Sequence, residues 1–237
     1  MVNLANPADR NSLSFRFRSH RDVGLREFLL AARGGKGRKC RIADLGGSAG
    51  YWERVGFDWL EENGFAVACV NNEPSELRRG SDGGGPIEYI LADACRMEDF
   101  ADDSFEIVHS NSVIEHVGGW PEIAGFAAVV RRLAPSYYVQ TPYFWFPVDP
   151  HFYRFPALHW LPVAARAQVH RRMKAGWAPR ATDRDAAMRL AESNFMLDRK
   201  QFRALFPDAE HSFERFAGLP KSMIATRLAP DDETQRN

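Results

Sequence analysis

Five short apolar segments recur between residues 40 and 142, and polar or glycine-rich residues follow most of them. The segments are Cys40–Leu45, Phe65–Val70, Ile87–Leu91, Phe105–His109 and Tyr137–Thr141. Short apolar runs of this kind are typical of buried strands, and stretches such as 51–63 and 121–133 between them have the pattern of crossover helices. Strands that alternate with helices form a parallel sheet with helices on both faces. We therefore predict an α/β fold with a Rossmann-like, parallel-dominated sheet.

The amino-acid composition of the chain differs on either side of this core. Residues 143–162 are rich in aromatic side chains and proline, which excludes a regular helix or a central strand. We predict an aromatic and helical insertion there, which forms a lid and contacts the substrate. The predicted division is a helical N-terminal segment (1–39), an α/β core (40–142), the insertion (143–197), a closing helix and strands, near 198–206, 209–216 and 223–227 (198–227), and a disordered tail (228–237).

Composition and charge argue against several classes of protein. Among 237 residues, 31 Lys and Arg balance 31 Asp and Glu, which argues against nucleic acid as a partner. The three cysteines form no CxxC pair, which argues against a disulfide framework and favours a reducing, cytoplasmic location. No apolar run of about 18 residues occurs, so we expect no membrane insertion. Neither HExxH nor a Cys/His ligand spacing occurs, so the sequence indicates no metal.

Charge is nevertheless distributed unevenly along the chain. Residues 10–41 contain ten Lys and Arg against two acids, whereas residues 42–127 contain four arginines against seventeen acids. Basic residues dominate again between residues 166 and 203, by ten to four. Such blocks are usually solvated helix faces that pair with one another. The alternative is that the basic segments rim a pocket for an anionic acceptor.

The loop after the first predicted strand has the sequence DLGGSAG (44–50). Glycines at a strand-to-helix turn let a ligand approach the backbone, and free amides at the helix start can hold its polar groups. A dinucleotide fold has GxGxxG here, but Ser48 stands at the second glycine of that pattern. The carboxylate of Asp44 would repel a pyrophosphate and suits a cationic ligand. S-adenosylmethionine carries an ammonium and a sulfonium and fits this loop; a plain glycine-rich turn is the alternative.

Polar residues also follow the second and third predicted strands. Ligands of parallel sheets bind beyond the carboxyl ends of the strands, so these residues are expected at the same site. Asn71 or Glu73 would bond the hydroxyls of a ribose, and Asp93 with Ala94 would meet the amino group of an adenine. The spacing therefore supports a nucleoside-containing ligand.

Taken together, these pieces resemble the class I S-adenosylmethionine-dependent methyltransferases, in particular a bacterial methyltransferase-domain branch (type 11-like). The matching pieces are IADLGGSAGYWE (42–53), VNNEPSEL (70–77), LADACRMEDFADDSFEIVHSNSVIEHVGGW (91–120), VQTPYFWFPVDPHF (139–152) and the closing LFPDAEHSFERFAGLPKSMIAT (205–226). The resemblance implies a seven-stranded sheet whose last strand is antiparallel, S-adenosyl-L-methionine as the cofactor, and methyl transfer as the activity. It does not specify an acceptor.

The resemblance also implies which residues hold the cofactor. Ser48 replaces the usual middle glycine of the family's loop, and Asn71 stands where the family commonly has the acid that holds the ribose. Both departures lie at positions that the family uses to bind the cofactor. The cofactor residues predicted on this basis are Asp44, Gly46, Gly47, Ser48, Gly50, Asn71, Glu73, Asp93, Ala94, Ser110 and Asn111.

Methyl transfer is an in-line displacement at a sulfonium carbon, so the protein mainly aligns the acceptor and excludes water. A hydroxyl acceptor benefits from a base that works at neutral pH, and histidine suits this task. His116 and His151 both follow predicted strands, Glu115 neighbours His116, and Asp149 is placed to orient His151. We predict Glu115, His116 and His151 as catalytic residues for O-methylation of a small-molecule or glycan acceptor. Local packing is the alternative for both histidines.

Two other functions are compatible with such a fold. A non-catalytic cofactor-binding or partner-binding protein would share the same architecture, because a fold does not determine a function. A nicotinamide-dependent oxidoreductase ranks lower, because the chain has neither GxGxxG nor a YxxxK pair.

Overall fold

The computed structural model describes residues 13–33, 39–77 and 85–230, with side chains described from residue 21 onward. Within these ranges, seven strands form one sheet in the order β3-β2-β1-β4-β5-β7-β6. Residues 1–12 and 34–38 of the predicted N-terminal segment, and the residues beyond 230 of the predicted disordered tail, lie outside the described residues. The strands are β1 (Cys40–Leu45), β2 (Phe65–Asn71), β3 (Ile87–Leu91), β4 (Ile107–Asn111), β5 (Ser136–Pro142), β6 (Glu210–Phe216) and β7 (Leu219–Arg227).

Pairing within the sheet agrees with the prediction from sequence. The first five strands run parallel to one another, whereas β7 runs antiparallel to both β5 and β6. This confirms the α/β fold with a parallel-dominated, seven-stranded sheet. The register pairs Asp44 of β1 with Cys69 of β2 and with His109 of β4. The carboxyl ends of β1, β2 and β4 therefore meet at one edge, which is where ligands of such sheets bind.

Helices cover both faces of the sheet, and each face has its own apolar core. On one face α1 and the two helices after β1 pack through Leu25, Leu29, Trp52 and Leu60. On the other face α5 and α8 pack through residues such as Phe126 and Phe202. The helices are α1 (Leu13–Arg33), α2 (Ala49–Val55), α3 (Phe57–Glu62), α4 (Pro74–Leu77), α5 (Trp120–Leu133), α6 (Val163–Arg172), α7 (Arg184–Glu192) and α8 (Arg199–Leu205).

The single helix predicted over residues 51–63 is wrong, because the chain forms two helices there. Gly56 lies between α2 and α3 with φ of 113°, a value that is far from the helical region and that favours glycine. The break reorients α3, whose buried Leu60 then packs in the same apolar core as α2.

Two predicted strand boundaries are also wrong. The fourth strand, predicted at 105–109, lies at Ile107–Asn111, because the Phe105 amide bonds the Leu133 carbonyl at the end of α5 instead of a neighbouring strand. The last strand begins at Leu219 rather than at residue 223. A turn at Ala217 and Gly218, both with positive φ, lets Leu219 pair directly with Phe216 of β6.

Between β5 and α8 the chain forms a long connection that contains short helices. A 3-10 turn (Leu158–Trp160) and the helices α6 and α7 lie in this part of the chain, and a small apolar cluster joins α6 to α7. The function of this segment as an insertion that contacts the acceptor stays a prediction, as does the division of the chain into segments. In the described ranges, none of the helices combines the length and the hydropathy needed to cross a lipid bilayer.

Candidate functional site

A cavity of about 780 Å³ opens at the carboxyl edge of the sheet. We refer to it as the large cavity. Four of the predicted cofactor residues line it, and the predicted catalytic residue His116 lies on its wall. Acidic side chains, including Glu76 and Glu122, contribute to the same wall. The four predicted cofactor residues are Gly46, Asn71, Asp93 and Ala94.

The loop after β1 has room for glycine alone at two positions. Gly46 has φ of 74°, and a Cβ there would lie 2.3 Å from a methyl group of Val113. A Cβ at Gly47 would lie 1.7 Å from Oδ2 of Asp44. Both glycines therefore let the chain turn tightly around the Asp44 carboxylate, as the sequence predicts for a loop that a ligand approaches closely.

The Asp44 carboxylate is buried and is held by two aromatic side chains. Trp52 Nε1 donates a hydrogen bond to one oxygen at 2.6 Å, and the other oxygen lies 2.7 Å from Nδ1 of His109. Asp44 and His109 expose 2% and 1% of their side chains. The loop sequence predicts a cationic ligand opposite Asp44 but indicates neither of these two partners. Only the β1–β4 register, which puts position 44 beside position 109, brings His109 within reach.

A second cavity of about 80 Å³ adjoins the large one. We refer to it as the small cavity. Asp44, Gly47 and Ser48 line it, and so does Asn111, while Gly46 lines both cavities. The structure therefore brings Asp44, Gly46, Gly47, Ser48 and Asn111 together around one space, as predicted from the loop and from the end of β4.

Arg21 from α1 connects to the same edge of the sheet, and the sequence analysis missed it. Its guanidinium donates to Oδ1 of Asn111 at 2.6 Å and to Gln140, and it forms an ion pair with Glu214 at 2.6 Å. The carbonyl oxygen of Asn111 is thereby occupied, which leaves its amide NH₂ group for a ligand. The sequence did not indicate this contact, because Arg21 lies in a helix that is far from Asn111 and Glu214 in the chain.

Three predicted cofactor residues have other environments. Ser110 is buried, and its hydroxyl donates to the backbone oxygen of Leu45 at 3.0 Å. Glu73 is exposed, and its amide donates to Oδ1 of Asn71 at 3.2 Å. In the described part of the chain, neither these two nor Gly50 lines the large or the small cavity. Their prediction as ligand contacts stays without support from the geometry.

Asn71 and Asp93 each use one oxygen to shape the backbone beside the large cavity. Oδ1 of Asn71 accepts the Glu73 amide, and its Nδ2 group donates to the Gly47 carbonyl at 3.5 Å, so the second hydrogen of the NH₂ group is the part that can meet a ligand. Asp93 is exposed, and its Oδ1 accepts the Cys95 amide at 2.9 Å, which leaves the second oxygen free for an amino group.

The predicted catalytic histidines come together although they are 35 residues apart. Nε2 of His116 lies 3.0 Å from Nε2 of His151, and the two rings are almost perpendicular. Oδ1 of Asp149 accepts both the backbone amide of His151 and its Nδ1 group, at 2.8 and 2.7 Å. Asp149 therefore orients the His151 ring, as the sequence analysis expected.

Glu115 lies beside this pair and is fully buried. Thr141 Oγ1 donates to its Oε2 at 3.0 Å, whereas Oε1 has no hydrogen-bond partner among the described residues. Burial raises the pKa of Glu115 to about 7. Burial and the neighbouring His151 lower the pKa of His116. Burial acts to lower the pKa of His151 as well, but its bond to Asp149 outweighs this effect and raises it.

The ligand atoms of Glu115, His116 and His151 all lie within 4.8 Å of one another. Glu115 and His116 lie on a 3-10 turn (Ile114–His116) after β4, whereas His151 comes from the connection after β5. The expectation of no metal rested on fixed ligand spacings, which cannot reveal groups that converge from separate parts of a chain. The arrangement can take up a proton or hold a cation at one point beside the large cavity.

Comparisons with known proteins agree with the fold. Residues 48–136 match a family model described as a methyltransferase domain. None of the curated proteins matches the chain. A phosphoethanolamine N-methyltransferase from Haemonchus contortus, solved with S-adenosyl-L-methionine, has a TM-score of 0.56 at 11% identity; the match covers 98% of this chain and 61% of that one.

Two bacterial structures are similar over nearly their whole length. A Listeria monocytogenes protein, provisionally described as an S-adenosylmethionine-dependent methyltransferase, has a TM-score of 0.54 at 10% identity over 92% of this chain and 100% of that one. A Rhodobacter sphaeroides protein, provisionally described as a zinc-dependent alcohol dehydrogenase, has a TM-score of 0.53 at 13% identity over 97% and 92%. Likeness at this identity shows the fold alone. Residues 48–136 are therefore similar to a methyltransferase domain, and the order of the seven strands shows an α/β fold.

Proposed function

We propose that the protein transfers the methyl group of S-adenosyl-L-methionine to a hydroxyl group of a small-molecule or glycan acceptor. The observation that carries this proposal is the contact between His116 and His151 at the wall of the large cavity. An acceptor that enters beside a cofactor bound in this cavity meets the histidine pair. Amine and carbon nucleophiles have less need of such a pair, because their reactive form carries no hydroxyl proton.

The residues around the large cavity suit the cofactor. The cavity volume of about 780 Å³ is in the range for pockets that bind ligands of the size of S-adenosylmethionine. Gly46 and Gly47 leave backbone free for close approach, and the NH₂ group of Asn71 can donate to a ribose oxygen. Acidic side chains such as Asp93 and Glu122 favour a ligand with positive charge. These features support binding of the methyl donor at the loop after β1.

The histidine pair can accept the proton that O-methylation releases. As the acceptor oxygen forms its bond to the methyl carbon, the carbon–sulfur bond breaks and the hydroxyl proton must leave. The Nε2 atoms of His116 and His151, 3.0 Å apart, can hold one proton between them. Asp149 stabilises the resulting charge on His151 through its bond to Nδ1. His151 thus acts through both of its ring nitrogens.

The experiment pairs cofactor binding with an acceptor panel. Calorimetry should show cofactor binding that Asp44→Ala and Asp93→Ala weaken about 10- to 100-fold, as expected for loss of a charge-assisted hydrogen bond. Asp58→Ala in α3 is the control, because Asp58 is exposed and lies outside the residues that line both cavities. Asp44→Ala also removes the partner of Trp52 and His109, so Asp93→Ala separates binding from folding.

The acceptor panel uses cofactor with an isotope-labelled methyl group and contains phenols, sugars, amines and carbon acids. Phosphoethanolamine is included because of the Haemonchus contortus neighbour. We expect products labelled at oxygen and, for His151→Asn, a fall in kcat of about 100-fold or more with cofactor affinity unchanged. Label exclusively on nitrogen or carbon would contradict the proposed acceptor class.

One observation favours a second function, that of a non-catalytic cofactor-binding protein. Both oxygens of Asp44 are already bonded to Trp52 and His109, and the small cavity beside them measures only about 80 Å³. A ligand ammonium would have to share this carboxylate with two aromatic side chains. Saturable cofactor binding without turnover across the whole panel is the outcome that would favour this function.

A further inference from the structure

We infer that Glu115, His116 and His151 bind one divalent transition-metal ion at the wall of the large cavity. Two imidazole nitrogens and one carboxylate oxygen, all within 4.8 Å of one another, form the set of ligand atoms. His116 also lines the large cavity, so the ion would lie next to the space assigned to the cofactor and acceptor. The inference rests on the proposed function only for the role of the ion, and not for its binding.

The two histidines present their Nε2 atoms to the same point. Because Nδ1 of His151 bonds a carboxylate, this nitrogen carries the proton, and the Nε2 atom of the neutral ring carries the lone pair. Nε2 of His116 faces it at 3.0 Å. Two nitrogens that each bind zinc at about 2.0–2.1 Å lie about 3.0–3.4 Å apart at adjacent coordination positions. The observed separation therefore fits two ligands of one ion.

Glu115 supplies the third ligand from the buried side. A fully buried carboxylate with one oxygen unpaired among the described residues is costly, and a cation is the partner that would compensate it best. Thr141 holds the other oxygen, which limits the orientations of the carboxylate. One carboxylate oxygen of Glu115 lies within 4.8 Å of the ligand nitrogens of both histidines.

The surroundings of His151 match those of metal-bound histidines. Ligand histidines usually donate their second ring nitrogen to a carboxylate, which determines the tautomer and the orientation of the ring. Asp149, which exposes only 1% of its side chain, accepts the Nδ1 group of His151. Two histidines and one carboxylate, with further positions open to small ligands, are typical of catalytic zinc and of non-haem iron sites.

A bound ion would occupy the place that the proposed function gives to a shared proton. The histidines would then act as ligands, and an acceptor hydroxyl bound to the ion would become acidic enough to react near neutral pH. The ion and the proton exclude each other at this point, because both need the same two lone pairs. Metal content therefore decides which of the two routes activates the acceptor.

The test is titration of the untagged, chelator-treated full chain with CoCl₂ and with ZnCl₂, without cofactor. We expect one ion per chain and, for cobalt, the visible absorption of nitrogen and oxygen coordination. His116→Ala and His151→Ala should each weaken binding at least about 100-fold, and Asp149→Asn about 10-fold, as for partners of ligand histidines. Glu115→Gln keeps the size of the side chain and should not unfold the protein, and we expect it to weaken metal binding about 10-fold, as for Asp149→Asn.

Two variants serve as controls. His211→Asn changes a histidine on β6 that bonds the Phe206 carbonyl, and Cys95→Ser removes the half-exposed thiol beside the large cavity; both should bind the ion like the unaltered chain. Lack of saturable binding, or equal binding by the folded His116→Ala/His151→Ala double variant, would overturn the site. If the chain binds no cobalt but transfers methyl groups, the metal site is overturned and the proposed function stands. If it binds one cobalt ion but transfers no methyl group, the result supports the metal site and counts against the proposed function.

Discussion

Gly47 lies so close to the Asp44 carboxylate that a methyl group there would displace it. We expect Gly47→Ala to destabilise the protein by about 1–3 kcal/mol, the usual range for overpacking, and to weaken cofactor binding, because the Cβ would lie 1.7 Å from Oδ2 of Asp44. Urea unfolding and calorimetry measure the two effects. Gly24→Ala is the matched control: it has open space around it, lies in α1, and should stabilise by up to about 1 kcal/mol. Equal unfolding midpoints for the two variants would contradict this account.

Single residues of the site differ in how far they could be predicted. Gly46, Asn71, Asp93 and Ala94 follow predicted strands, and the strand pattern alone was enough to place them at the large cavity. His109 could not be predicted as a partner of Asp44, because its role depends on pairing between strands that are distant in sequence. A polar residue at a strand position that is otherwise apolar is the only signal that the sequence offers for it.

The helix α8 begins with a capping box, which makes its start depend on one side chain. Oδ1 of Asp198 accepts the amides of Lys200 and Gln201, and the Gln201 side chain accepts the Asp198 amide. We expect Asp198→Ala to lower the free energy of unfolding by about 1–2 kcal/mol, because two helix amides lose their acceptor. Denaturant unfolding measures this loss.

The exposed Arg203 of the same helix provides the control. Arg203→Ala keeps the cap and places alanine in a helix interior, so its free energy of unfolding should stay within about 0.5 kcal/mol of the unaltered value. A loss in Arg203→Ala as large as that in Asp198→Ala would show that packing of α8, and not its cap, dominates.

Elements with strong local signals were predicted to within a residue or two. β1 and β3 have the predicted bounds, because apolar runs with polar or glycine neighbours leave little choice of boundary. The break at Gly56 and the displaced start of β4 were not predicted. Both depend on contacts with other elements, such as the bond from Phe105 to the end of α5.

The ion pair between Arg21 and Glu214, which are 193 positions apart in the sequence, joins α1 to β6. Burial acts to raise the pKa of Glu214, but its bonds to Arg21 outweigh burial and lower it. A lowered carboxyl pKa stabilises the fold above the unfolded value of about 4.3, and this stabilisation is lost as pH falls through the folded value. The free energy of unfolding should therefore fall as the pH drops below the unfolded value of about 4.3.

Glu214→Gln tests this interpretation. The variant should be less stable at pH 7, by about 3 kcal/mol or more, because Arg21 loses its buried counter-charge, and its stability should depend less on pH in the acid range. Glu210→Gln alters an exposed acid of the same strand and should keep the acid transition. An unaltered acid transition in Glu214→Gln would assign the effect to other carboxylates.

The amino-acid sequence was sufficient for the α/β architecture, the loop after β1 and the similarity of residues 48–136 to a methyltransferase domain, because these depend on apolar periodicity and on local motifs. Tertiary structure decided which side chains meet. Glu115, His116 and His151 converge, Asp44 is held by His109, and Arg21 reaches Glu214 only after the chain has folded. The physical reason is range: backbone preference acts over a few residues, whereas hydrogen bonds, ion pairs and metal ligation depend on distances in space.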